Sequence, residues 1–141
     1  MSTHWQYRQG SEEWFEMVGT LVSDAVSRAG TSSDLTWSLV ERYIDGVSFA
    51  DGLVQGIRFD IRDGRVSYRV GVRPDERGDA TIEVTAAAAR ELNLLRSADP
   101  AFASIREHVL RTGEMRVDGD LTPIAPALNE THDLLVDQTS R

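Results

Sequence analysis

The order of apolar and polar positions divides the chain into alternating helical and extended stretches. Ser11 to Ala29 carries Trp14, Val18, Leu21, Val22, Ala25 and Val26 at helical spacing. Ser11 is placed to cap that helix, and Glu12 and Glu13 follow in its first turn, where the helix dipole favours acids. Gly30 ends it. Leu35 to Ile44 then alternates, with Leu35, Trp37, Leu39 and Tyr43 on one face and Thr36, Ser38 and Arg42 on the other. Val40 and Ile44 blur the alternation, but β-branched residues suit a strand. Asp45-Gly46 marks a turn.

Gln55 to Arg62 alternates cleanly, with Ile57, Phe59 and Ile61 against Arg58, Asp60 and Arg62. Asp63-Gly64 follows, a strong hairpin signal, and Arg65 to Val72 answers with Val66, Tyr68, Val70 and Val72 on one face. Residues 73–79 are charged and carry Pro74 and Gly78, so they form a loop. Ala80 to Thr85 reads as a short strand with Ile82 and Val84 inward. Thr85 caps a helix from Ala86 to about Arg96, with Ala88, Leu92 and Leu95 on one side. Asp99-Pro100 opens a further helix bearing Phe102, Ile105, Val109 and Leu110, which stops near Gly113. Glu114 to Asp118 is a last strand with Met115 and Val117 on one face. A final helix begins near Thr122 or Ala125 and runs to about Val136, its apolar side formed by Leu121, Ile124, Ala125, Leu128 and Leu135. Helices and strands do not alternate regularly, which argues against a doubly wound parallel sheet. The expectation is an α+β fold: a five-stranded, mainly antiparallel sheet covered by helices on one face, with arginines and acids on the other.

The 141 residues suit an N-terminal arm over 1–10 and a single domain over 11–141. With 40% hydrophobic and 27% charged residues, the chain is globular in composition. It has no cysteine, which excludes disulfides, thiolate metal sites and cysteine nucleophiles. The net charge is -8, and arginine supplies every basic residue. Such a chain is repelled by phosphate backbones, so nucleic acid is not an expected partner, and anionic membrane surfaces are disfavoured in the same way. No apolar run reaches the length of a transmembrane helix, so no stable membrane insertion is expected. The first ten residues lack a basic end followed by an apolar stretch, and a cytoplasmic location is the expectation.

Motifs that carry chemistry are sparse. There is no glycine-rich phosphate loop, nucleophile elbow or His-Glu-x-x-His. His4, His108 and His132 have no acid or second histidine at ligand spacing, so neither a metal nor another cofactor is expected. Asp60, Asp63, Asp118 and Asp120 flank turns, where carboxylates serve the backbone. The aromatic residues Trp5, Trp14, Trp37, Tyr43, Phe49, Phe59, Tyr68 and Phe102 are spread through every element and read as core. No catalytic residue stands out.

From Ile57 onward the chain resembles the sterol carrier protein 2 family. The hairpin Ile57 to Val66 looks like that family's second and third strands, and Gly78 to Thr85 resembles its short strand leading into a helix. Thr112 to Asp120, with Gly113, Met115, Val117, Gly119 and Asp120, resembles the strand before the family's last helix. Leu35 to Gly46 looks like the first strand of small bacterial members. The resemblance spans roughly three quarters of the chain and rests on the ordered set of motifs. It implies an apolar tunnel between sheet and helices that binds a sterol, a fatty acid or an acyl derivative, with transfer or sequestration as its use. Phe59, Tyr68, Leu92, Leu95, Met115, Ile124 and Leu128 are the expected lining. The segment from Ala86 to Arg111 is longer than the family's usual single helix, and Pro123 and Pro126 stand at the last one.

Two other classes fit the same pattern. A cone-shaped α+β enzyme of the polyketide cyclase or ketosteroid isomerase kind needs a polar side chain deep on an inward strand position. The inward positions from Ile57 to Val117 are nearly all apolar, and only Tyr68 among them is a donor. A protein-interaction or dimerisation module with a filled core shares the apolar pattern. A monomer or a homodimer carrying one apolar ligand is the expected assembly.

Overall fold

The computed structural model describes residues 6–141. Among them the order is α1 (Glu12–Ala29), β1 (Trp37–Tyr43), β2 (Val54–Arg62), β3 (Arg65–Val72), β4 (Ala80–Val84), α2 (Ala86–Asn93), α3 (Pro100–Thr112), β5 (Met115–Asp118) and α4 (Ala125–Asp137). His4 and Trp5 lie outside the described residues.

Local chemistry sets these boundaries. Ser11 Oγ accepts the Trp14 N–H at 3.1 Å, and Gly30 closes α1 at φ +72°. Thr85 Oγ1 accepts the Ala88 N–H at 3.1 Å at the start of α2, and Asp99 accepts the Ala101 N–H at 2.9 Å at the start of α3. Helix α4 has no side-chain cap: Ile124 holds the capping position, and Pro126 stands in the first turn, where a missing N–H costs nothing. The β2–β3 hairpin turns at Asp63 and Gly64, both left-handed at φ +50° and +77°, as a tight primed turn requires.

The sheet order is β3-β2-β1-β4-β5. Three pairings are antiparallel, and β1 with β4 is parallel. The sheet is therefore mixed but mostly antiparallel, in an α+β fold. Central β1 is covered on both faces, which explains its blurred alternation: Val40, on the face away from the helices, is 0% exposed. The rest of that face carries an ion-pair lattice. Arg42 meets Glu83 at 3.0 Å, and Arg58 meets Asp60 at 3.1 Å and Glu76 at 3.2 Å. Glu76 belongs to the β3–β4 loop and also takes Arg69 at 2.5 Å, so the loop is tied across the sheet.

The core lies between the other face and the helices. Helix α1 packs on β2 and β3, α4 packs on α1, and α3 packs on β5. Gly19 of α1 allows the Tyr68 ring to approach: a Cβ there would stand 2.4 Å from it. The described part of the N-terminal arm is fastened to the C-terminus. The Tyr7 N–H donates to Gln138 O at 2.7 Å, and the Ser140 N–H donates to Tyr7 O at 2.8 Å. No helix among the described residues is long and apolar enough to cross a membrane.

Candidate functional site

Strand pairing places side chains in rows across the helix-facing side of the sheet. One row runs Tyr68, Phe59, Leu39, Ala80. It is closed: Phe59 and Leu39 are 1% exposed and Ala80 0%. The next row runs Val70, Ile57, Glu41, Ile82, Val117. Exposure rises along it, from 0% at Ile57 through partly buried Glu41 and Ile82 to 42% at Val117. Glu41 and Ile82 sit on interior strands, so their exposure comes from the space above the sheet rather than from a free edge. The row ends on exposed Val117 at the β5 edge. A cleft of about 590 Å³ lies there, lined by Leu110, Met115 and Val117 with Arg77, Glu83, Arg116 and Asp118 around the edge strand. Ile82, Met115, Phe102, Ile105, Leu121 and Leu128 are all partly buried against the core.

The row contains one charged residue. Glu41 lies between Ile57 on β2 and Ile82 on β4. No hydrogen bond or ion pair to its carboxyl is found among the described residues. Burial alone pushes its pKa up to about 7. The arginines nearest in register, Arg42 and Arg58, alternate to the opposite face and pair there. Tyr43 follows Glu41 on the same face of β1. Its hydroxyl is held well above its ordinary range, first by burial and then by the charge of Glu41, and it accepts a hydrogen bond from Gln9 Nε2.

Glu41 was legible in the sequence. The alternation that puts Leu39 and Tyr43 inward puts Glu41 there too. The inner face is therefore less uniformly apolar than the later strands alone suggest.

The structure does not gather the seven residues expected to line a tunnel around one space. Phe59 is closed core, with its ring 6.2 Å from that of Tyr68. The Tyr68 hydroxyl donates to Glu16 at 2.8 Å at the outer side of α1, not into the interior. Leu92 and Ile124 are buried at 8% and 1% exposure. Leu95 lines a separate cleft with Leu94, Arg96, Asp99 and Val136, near the end of α4. Leu128 is partly buried on α4, and Met115 stands at the β5 opening.

Of the two described histidines, one is built into the helical layer. His132 stacks on Phe102 at 4.4 Å and donates from Nε2 to Leu95 O at 2.8 Å. His108 is exposed beside Glu114. Among the described residues no group of three His, Asp or Glu side chains could hold a metal ion.

No protein-family model matches the chain, and no curated protein matches it. Solved structures do. A crystal structure of sterol carrier protein 2 superposes with a TM-score of 0.57 at 17% identity, over 92% of this chain and 98% of that one. A conserved hypothetical protein of Thermus thermophilus, described as a possible sterol carrier protein, superposes at 0.58 and 16% identity, over 100% of this chain and 97% of that one. Identities this low speak for architecture, and over nearly the whole chain that architecture is the sterol carrier protein 2 fold.

Proposed function

We propose that this domain binds one apolar small molecule, a sterol, fatty alcohol, fatty acid or acyl derivative, without turning it over. The molecule would lie between the β1–β4–β5 half of the sheet and helices α2 to α4. The observation that carries the reading is the row Ile57, Glu41, Ile82, Val117, whose exposure grows from the middle of the sheet to its edge. An apolar surface that stays partly exposed inside a fold is a place where burial of a ligand gains free energy. The fold likeness to sterol carrier protein 2 supports the same reading.

Glu41 gives the proton-transfer alternative the inward polar group that it needs. A pocket of that kind also requires a donor facing the same carbon as the base. Tyr68 donates instead to Glu16, and Tyr43 is 2% exposed with its hydroxyl held by Gln9. Binding is therefore better supported than catalysis.

Titration with Nile red, a neutral apolar dye, is expected to give a saturable fluorescence rise near one equivalent. A signal that grows linearly with dye, or none, would overturn the reading.

A further inference from the structure

An ionisable side chain turned inward from the central strand of a sheet is costly when nothing pairs with it. Glu41 is in that position. Its register neighbours are Ile57 and Ile82, and the preceding inward residue is Leu39. The nearest cations in register point to the other face. Tyr43, the only other titratable inward group on β1, has its hydroxyl engaged by Gln9, and Asp45 lies beyond the strand end. An apolar residue here would fill the row without that cost, so the carboxyl calls for a partner that no other described residue supplies.

The position defines what that partner is. Glu41 lies two strands in from the β5 edge, ~10 Å at ordinary strand spacing. A path to it from that edge would cross the inward positions Ile82 and Val117, with Met115 beside them, all apolar. A molecule reaching the carboxyl therefore leads with its polar end and lays an apolar body along the path.

We propose that Glu41 is the polar anchor of this site and selects apolar molecules ending in a hydrogen-bond donor, a hydroxyl or an ammonium, over those ending in a carboxylate. This rests on the binding reading above and narrows it. A carboxyl accepts from an O–H or N–H, and such bonds to a charged group are among the stronger ones. A ligand carboxylate would instead bring two negative charges together in a poorly solvated space.

The test is displacement of Nile red at pH 8 by dodecan-1-ol, dodecylamine and dodecanoate, on the parent chain, Glu41→Leu and Glu41→Gln. For the parent chain the alcohol and the amine should displace the dye at concentrations about tenfold or more below dodecanoate, as a charge-assisted hydrogen bond of ordinary strength gives. In Glu41→Leu, with the dye affinity measured anew for that variant, the amine should fall to within about twofold of dodecanoate, and the alcohol should keep only the advantage of being uncharged. In Glu41→Gln the amine should lose most of its advantage and the alcohol part of it. Equal displacement by all three from the parent chain, or an order unchanged in Glu41→Leu, overturns the anchor and leaves apolar binding standing. Failure of the dye to bind the parent chain overturns both.

Discussion

At pH 8 the Glu41→Gln variant is expected to melt about 5–10 °C above the parent chain, and at about pH 4 to melt with it. The cause is the difference in acidity between the two states. In the unfolded chain the carboxyl titrates near 4.5, and in the folded chain burial pushes it up to about 7. A pKa raised on folding means that the folded state holds its proton more tightly. The stability that depends on this is fully present below about 4.5 and is lost as pH rises through 7. The loss is about 2–3 kcal/mol once partial exposure of the side chain is allowed for. Glutamine has the shape of the protonated acid and cannot ionise, so it should match the parent chain when Glu41 is neutral and exceed it when Glu41 is charged. Thermal unfolding across about pH 4 to 8 reads this directly. Curves that run parallel over the whole range would mean that Glu41 is solvated like a surface carboxylate.

Ile124→Trp is expected to lower stability by about 1–3 kcal/mol while leaving the dye site intact. Ile124 is 1% exposed and holds the capping position of α4. Its N–H donates to Leu121 O at 3.0 Å, and its carbonyl accepts the Leu128 N–H at 3.0 Å. The backbone is therefore fixed, and a larger side chain must displace close-packed neighbours. The residue is not part of the row from Ile57 to Val117, so the folded fraction should bind Nile red as the parent chain does. Melting and titration on the same sample separate the outcomes. A variant of unchanged stability that no longer binds would mean that the binding space runs beneath the start of α4.

The elements were legible in the sequence wherever a local signal carried them. Ser11 and Thr85 announce helices by capping and accept the expected backbone N–H, and Asp99-Pro100 announces a third, whose Asp99 also accepts the Ala101 N–H. Asp63-Gly64 announces the hairpin and takes the left-handed conformations that it needs. Helix α2 ends at Asn93, short of the expected Arg96. The Leu94 N–H already shares the carbonyls of Arg90 and Glu91, a tightened last turn that the apolar stripe does not reveal. The parallel pairing of β1 with β4 was not legible either, because alternation tells which face a residue takes and not which strand lies beside it.

The site was less readable for the same reason. Leu92, Leu95, Ile124 and Leu128 lie on apolar helix stripes, but a stripe does not say whether it meets a hollow, the core or a surface cleft. Leu95 and Ile124 share that periodic signal, yet Leu95 lines a cleft near the end of α4 while Ile124 is closed core. Whether Ile82 is covered depends on how α3 and α4 are set above the sheet, a tertiary matter. Glu41 is the exception, since its inward direction follows from its own strand.

Methyl NMR during a Nile red titration locates the bound dye. One-to-one saturation is expected, with the largest shifts at Ile82, Met115 and Val117 and smaller ones at Leu110. Leu95 in its separate cleft and exposed Leu134 should stay in place. Shifts centred on Leu95, or spread over surface methyls without saturation, would contradict a binding space over β1, β4 and β5.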